Sequence, residues 1–397
     1  VEQRGRARIG LQQTGGDPLD YQFLLQCMAH IVQNPSERLQ LAIVLQDRPQ
    51  GSGADTFLNI IGDILGSHLY LNSSNVEDIV GTHAEGIEGK LLVVVNELEV
   101  ADSTKHQSRF KDLITCPDVT VNPKGIRPYR VSVYAFFVFI SNRANAINFD
   151  NNDNERRFSV FKPTAACCEG FTSESWSYFH NTLFKSSLFR RALYDELMRM
   201  DLREFDSARW RNMTLSLAYF RSSARNAPLH AKFFRHYVQE LVSEIRASGF
   251  HVGNGNGNGK FIQGVSLASP QTCAPWELEG APAIDRNWQV DQAIMHGEFQ
   301  EFKDRTVGRT TGGRIEREYF LSAYPGIIHE KKSGTRKYVF NPRKLWNFLV
   351  EKKWLGEESF KYHRADVAEA RDQAFVDPRF RDLAQASASD IGALRPL

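Results

Sequence analysis

The chain alternates short, unbroken apolar runs with longer amphipathic stretches. Four runs read as strands, the first three as buried ones because their apolar residues are continuous rather than alternating. They are Leu41–Leu45, Lys90–Glu97 (KLLVVVNE), Ala135–Ser141 (AFFVFIS) and Arg157–Phe161. Apolar positions three and four apart predict helices between and before them. One spans Tyr21–Val32, carries Phe23, Leu24, Cys27, Met28 and Ile31, and ends at Asn34-Pro35, since a residue before proline leaves the helical region. A second follows Leu41–Leu45 and presents Phe57, Ile60, Ile61, Ile64 and Leu65; a short one covers Arg109–Thr115, closed by Pro117. Val119–Val121 and Tyr129–Val133 flank Asn122-Pro-Lys-Gly-Ile-Arg-Pro128, a predicted β-hairpin with a basic tip. Strands alternating with helices predict an α/β fold with a mostly parallel sheet.

Beyond this core, Phe171–Gly249 reads as mostly helical, with Trp176, Tyr178, Phe179, Tyr219 and Phe220 as its aromatic positions. Gly253–Gly259 (GNGNGNG) cannot bury a core and reads as a flexible connection. In the last unit, Ile315–Tyr324 reads as a helix, Gly326–Glu330 and Thr335–Phe340 as strands joined through Lys331-Lys332-Ser333-Gly334, and Lys344–Lys352 as a helix. Helix, basic hairpin and helix in that order predict a winged-helix module. The domain plan is a polar leader at 1–20, an α/β core at 21–165, a helical region at 166–250, a linker at 251–275, the module at 276–355 and a partly disordered polar tail at 356–397. The chain opens on Val1 rather than Met, as expected of a processed or cut piece whose preceding part holds another activity.

Composition narrows the classes. With 397 residues, 42% hydrophobic and 24% charged, the chain has room for two or three cores. A net charge of +2 excludes a global basic field, so any nucleic-acid surface must be a local patch. The five cysteines, Cys27, Cys116, Cys167, Cys168 and Cys273, show no metal spacing and suit a reducing compartment. No apolar run reaches transmembrane length and no signal peptide opens the chain, so a soluble, intracellular protein is expected, without a membrane partner.

In parallel sheets, ligands sit at the carboxyl ends of the strands. Gly51–Gly53, Glu97 and Asn142 all fall there. Arg48 to Asp55 follows a strand and opens a helix, the frame in which backbone N–H groups cradle phosphates. Against the pattern G-x-x-x-x-G-K-[ST], Arg48 stands where glycine belongs, Ala54 where lysine belongs, and Asp55 where serine or threonine belongs.

The phrases AHIVQNP, GSGADTF, LLVVVNE, FKDLITCPDVTVNPKG, VFISN and NERRFSVF, in this order, resemble the helicase domain of viral and phage primase-helicases, which belong to helicase superfamily three on the AAA+ fold. The resemblance covers Tyr21–Phe161 closely and the stretch to about Phe250 more loosely. It implies a ring-shaped homo-hexamer that hydrolyses ATP with Mg2+ between subunits and draws single-stranded DNA through its centre, with a primase domain preceding it. By the same resemblance Gly51, Ser52, Gly53, Ala54, Asp55 and Thr56 form the nucleotide loop. Glu97 is the carboxylate that orients the attacking water, with Glu99 as the second candidate. Asn142 is the polar sensor, Arg156 and Arg157 are the arginine-finger region, and Asp55, Thr56 and Asn96 surround the metal, Asn96 standing where many relatives have Asp.

The hairpin's Lys124 matches the loop that grips DNA phosphates, with Arg127 and Arg130 adding charge. Lys331, Lys332, Arg336 and Lys337 form a second basic surface, suited to DNA backbone or to protein docking. Plainer readings stand beside these. Asn142 suits any strand end, Lys124 any solvated tip, and Arg156-Arg157 surface ion pairs worth roughly 0–1 kcal/mol. His30 and His83 read as structural. Loss of the lysine from a phrase otherwise kept reads as a directed substitution that silences hydrolysis; a natural inactive relative is the other reading, supported by Arg48 and Asn96. Two functions follow: an ATP-dependent DNA helicase, hydrolysis-deficient at Ala54, or a non-hydrolysing nucleic-acid-binding or ring-forming scaffold. A small-molecule kinase lacks a recognisable lid and leaves the basic hairpin unexplained.

Overall fold

In the computed structural model the described residues are 13–49, 52–81, 85–144, 146–147, 156–164, 177–247, 287–308 and 318–374. The chain divides into two compact units, one of 1–150, 154–222 and 364–397, the other of 151–153 and 223–363.

The first unit opens on α1 (Pro18–Gln33), which begins inside the stretch read as a leader. Asp17 sets that start: its side chain accepts the N–H groups of Leu19 and Asp20, and Pro18 occupies the first turn, where its missing N–H costs nothing. Phe23, Cys27 and Met28 are fully buried. The helix packs beside a five-stranded sheet of β1 (Ala42–Leu45), β2 (Tyr70–Ser73), β3 (Leu92–Val95), β6 (Phe136–Ile140) and β7 (Phe158–Phe161), in the order β2-β3-β6-β1-β7. Every pairing in it is parallel. Each residue of β1, β3, β6 and β7 is buried, which is why the first three read as apolar runs without alternation. β2 escaped the sequence reading because it is a half-exposed edge strand of mixed polarity, YLNS.

Crossovers carry α2 (Ala54–Leu65), α3 (Glu77–Val80), α4 (Val100–Lys105) and α5 (Gln107–Thr115). Arg38 ends α5, donating from Nη2 to the carbonyls of Leu113 and Ile114 at 2.7 and 2.9 Å, which satisfies orphan acceptors of the last turn. Between β3 and β6 the chain forms the expected antiparallel hairpin, β4 (Asp118–Val121) with β5 (Tyr129–Ser132), in the register Val119↔Val131. Helices α6 (Ser187–Arg199), α7 (Ser207–Met213) and α8 (Leu217–Arg225) follow the last strand. Gln33 ties α1 to the end of α6, donating from Nε2 to the Leu197 and Met200 carbonyls at 2.6 and 3.0 Å.

In the second unit, α9 (Leu229–Ala247) precedes β8 (Trp288–Asp291), α10 (Gln292–Val307), α11 (Tyr319–Ala323), β9 (Ile328–Ser333), β10 (Thr335–Phe340) and α12 (Pro342–Glu351). The three strands form an antiparallel sheet, β8-β10-β9. Phe234, Phe320, Tyr324, Tyr338 and Trp346 fill its core. The unit begins upstream of the expected module because α9, read with the preceding helices, buries Phe233, Phe234 and Val238 in this core. The helix expected over Ile315–Tyr324 is Tyr319–Ala323, and 315–317 lie outside the described residues. The linker over 251–275 lies outside them too.

The stretch from 356, read as a polar tail, forms α13 (Glu357–Asp366) and α14 (Ala368–Gln373). Two of its arginines, Arg364 and Arg371, explain the order. Arg371 Nη2 meets Asp17 Oδ2 at 2.7 Å, and Arg371 Nη1 and Arg364 Nη2 lie 3.4 and 3.6 Å from the Asp20 carboxylate. Burial, then the neighbouring Asp17, pushes the Asp20 carboxyl up to about 8, against the opposing pull of both arginines. The folded chain therefore keeps this proton well above the pH at which an unfolded aspartate, near 3.8, releases it. Between those two values it binds more protons than the unfolded chain, so its stability falls as pH rises. The urea midpoint is expected to drop between pH 5 and pH 8. Asp20→Asn, which copies the protonated shape, should flatten that slope; an equal slope in the variant would place the titration elsewhere.

Candidate nucleotide and nucleic-acid surfaces

β1 is hydrogen-bonded on both sides, to β6 and β7, so the loop after it emerges between the ends of its neighbours. Ser141 N–H donates to the Leu45 carbonyl at 2.9 Å, and Asp47 N–H to the Arg143 carbonyl at 3.0 Å. On the other side Gln46 N–H donates to the Phe161 carbonyl at 3.0 Å, and Lys162 Nζ pairs with Asp47 Oδ2 at 2.6 Å. Gln13, fully buried ahead of α1, donates from Nε2 to the Ser52 carbonyl at 2.8 Å. No spacing in the sequence pointed to Gln13, because it comes from the polar stretch before the first helix.

Gly53 caps the 12-residue α2 in the left-handed conformation, φ 75°, with no side chain bonded to the cap. Glycine adopts this at no steric cost. The free first turn carries the positive end of the helix dipole. Gly51 lies outside the described residues. Ala54, expected among the phosphate contacts, is fully buried and belongs to the hydrophobic core. Asp55 and Thr56 are half-buried in the first turn.

Side chains from two strand ends converge on Asp55, and a third joins them through Arg48. Arg48 Nη1 donates to Asp55 Oδ2 at 2.6 Å, and Asn96 Nδ2 donates to Asp55 Oδ1 at 2.7 Å. Arg48 Nε donates to Asn142 Oδ1 at 2.9 Å. The network joins the loop after β1 with the ends of β3 and β6. Of the expected residues, it brings together Asp55, Asn96 and Asn142. The sequence reading met Arg48 only as a mismatch in the glycine pattern; its charge beside a missing lysine was the signal.

The strand expected to run to Glu97 stops at Val95. Glu97 follows in a tight turn, exposed, with φ 55°, a conformation that costs a residue with a Cβ roughly 1–2 kcal/mol. Its N–H donates to Asn96 Oδ1 at 3.0 Å, so Asn96 spends its oxygen on the turn and its amide on Asp55. Glu99, the second candidate, is engaged elsewhere. It precedes α4 and accepts from Arg143 Nε at 3.3 Å. Among the described residues no group of three or more His, Cys, Asp or Glu could hold a metal ion.

Arg156 and Arg157 precede β7, which begins at Phe158 rather than Arg157. Arg156 is exposed; Arg157 is half-buried, and its carbonyl accepts the Ala42 N–H at 2.6 Å. At the hairpin tip Lys124, Ile126 and Arg127 are exposed and Gly125 makes the turn at φ 80°; Arg130 is exposed within β5, opposite Thr120. In the second unit the register sets Lys331 opposite Lys337 and Lys332 opposite Arg336. Like charges directly opposite destabilise a hairpin, so folding alone does not account for them. Because side chains alternate across a strand, the two pairs leave opposite faces of the hairpin, and the expected single basic surface is two.

A family of unknown function (DUF5906) matches residues 45–157, which holds the loop, Glu97, the hairpin and Asn142. Among curated proteins none matches. The chain is similar to the apo structure of the NrS-1 C terminal region (305-718), with a TM-score of 0.56 and 15% identity, covering 85% of this chain and 75% of that one. It is also similar to two A-form apo structures of the same region, with TM-scores of 0.51 and 0.55 and identities of 13% and 16%, again covering 85% and 75%. At this identity the likeness is one of fold: the chain shares its architecture with the NrS-1 C terminal region.

Proposed function

We propose that this chain is the motor region of a DNA helicase of the viral or phage primase-helicase type, acting on single-stranded DNA as a homo-hexamer. The observation that carries this reading is the bonded set Arg48, Asp55, Asn96 and Asn142, which unites the three strand ends a P-loop ATPase uses. In this reading the N–H groups at the start of α2 hold the phosphates and Asn142 orients at the terminal phosphate. Glu97 accepts a proton from the attacking water, and its strained turn is consistent with a residue kept for chemistry. Mg2+ takes oxygen ligands and is usually held by one or two carboxylates plus phosphates. Asp55 supplies such a carboxylate, Thr56 a neighbouring hydroxyl, and Asn96 orients Asp55. When bound, the ion would neutralise charge on the β- and γ-phosphates.

Arg156, exposed ahead of the edge strand, is the better placed of the two arginines to reach a neighbouring subunit. Lys124 and Arg127 face the DNA in the channel. The second unit is read as a winged helix whose hairpin cations touch DNA or a protein partner. A scaffold that binds nucleotide without turnover is the second reading, favoured by the buried methyl of Ala54.

Turnover in this chain is expected to be slow, since the P-loop lysine that reaches the β/γ-phosphates is absent. Removing a single preorganised donor, such as one in an oxyanion hole, already costs about 10²–10³-fold in rate. Ala54→Lys should raise the single-stranded-DNA-stimulated rate, and Glu97→Gln in that background should abolish it while ATP still binds. Glu97→Gly should also raise urea stability by about 1 kcal/mol, by relieving the left-handed backbone, while turnover is lost. Hydrolysis surviving both Glu97→Gln and Asp55→Ala would overturn the assignment of the site.

Lys124→Ala is expected to weaken single-stranded DNA binding and to reduce its salt slope by about 0.7 per lost phosphate contact. Fluorescence anisotropy at a series of KCl concentrations reads both. Unchanged affinity and slope would remove the hairpin from the DNA path. A chain monomeric with nucleotide and DNA present would remove the ring.

A further inference from the structure

A P-loop without its lysine leaves the phosphates of a bound nucleotide without their fixed counter-charge. Three ion-paired cations, Arg48, Arg143 and Lys162, stand at the carboxyl edge around this loop. Lys162 and Arg143 are the peripheral ones: their side chains are 50% and 65% exposed and they pair with Asp47 and Glu99. Arg48 is different. Its side chain is only 14% exposed, and its guanidinium lies between Asp55 in the first turn of α2 and Asn142 at the end of β6. These are the two positions that, on the reading above, border the metal and the terminal phosphate.

From this placement we infer that Arg48 is the phosphate-binding cation of the loop, standing in from the loop's first position for the lysine absent at Ala54, with a nucleoside triphosphate as its ligand. The inference rests on the nucleotide-binding reading given above and adds to it the residue that supplies the charge.

The chemistry suits the role. A guanidinium stays protonated at any working pH and presents five N–H donors in a fixed fork that matches phosphate oxygens. Nε and one N–H of Nη1 are used by Asn142 and Asp55, which fixes the plane of the fork. Nη2 has no hydrogen-bond partner among the described residues and remains for an anion. The Asp55 carboxylate holds the guanidinium in place before nucleotide arrives, so a charge is ready without an unpaired buried cation. No covalent step is involved: the phosphate oxygens accept N–H bonds while Asn96 keeps Asp55 oriented.

Fluorescence titration of the whole chain with mant-ATP, against mant-adenosine as the probe without phosphates, tests this. The unsubstituted chain is expected to prefer the triphosphate, Arg48→Ala to lose at least tenfold of that preference, and Arg48→Lys to keep most of it. Adenosine affinity should stay the same in all three. In EDTA, Asp55→Asn should tighten mant-ATP binding several-fold by releasing the guanidinium from its carboxylate, and adding Arg48→Ala should remove that gain. A gain of affinity cannot come from misfolding, so this arm holds even where Arg48→Ala alone unfolds.

If the unsubstituted chain binds mant-ATP and neither Arg48→Ala nor Asp55→Asn changes it, Arg48 is only a structural link and the nucleotide reading survives. If the unsubstituted chain shows no preference for the triphosphate, the nucleotide reading fails and the inference falls with it.

Discussion

β1 has a parallel neighbour on each side, and all four of its residues are buried. That placement leaves the following loop little freedom of direction, because its flanks are bonded to the ends of β6 and β7. Burial of the sheet on both faces drives the arrangement. The backbone hydrogen bonds then fix which side chains can meet. Arg48, Asn96 and Asn142 belong to three different strand ends, and they come within bonding distance of one another or of Asp55 only because β6 lies between β1 and β3.

Against the P-loop pattern, the residues around the start of α2 differ in type at four positions. A carboxylate stands at Asp55, where a hydroxyl is expected, and an amide at Asn96, where a carboxylate is expected. The two are hydrogen-bonded to each other at 2.7 Å. A cation stands at Arg48 where glycine is expected, and a fully buried methyl at Ala54 where the cation is expected. Each departure taken alone resembles decay. Joined by hydrogen bonds around one carboxylate they form an ordered polar network, and such networks carry a high cost if left half-satisfied.

The second unit places its basic residues by strand register. Cross-strand pairing of Lys331 with Lys337 and Lys332 with Arg336 concentrates positive charge on a hairpin whose opposite end anchors Tyr338 and Phe340 in an aromatic core. The anchored end supplies the stability, and the tip carries cations set opposite one another.

The unbroken runs Leu41–Leu45, Lys90–Val95 and Ala135–Ser141 were legible as buried strands because a parallel sheet covered on both faces needs apolar residues at successive positions. The Pro-Lys-Gly hairpin and the loop before α2 were legible because proline and glycine restrict or free the backbone locally. What was not legible depended on distant partners. Pro18 starts α1 because Asp17 caps it, and Asp17 and Asp20 in turn meet Arg364 and Arg371 from the stretch read as a tail. β2 has no periodic signal of its own and exists through its pairing with β3. Arg48 broke the loop pattern in the sequence, and only its hydrogen bonds to Asp55 and Asn142 turn that mismatch into a charge at the site. Local patterning determined the elements, since it acts through neighbouring residues; the tertiary structure decided which polar side chains met, since those contacts cross up to three hundred and fifty-four positions of chain.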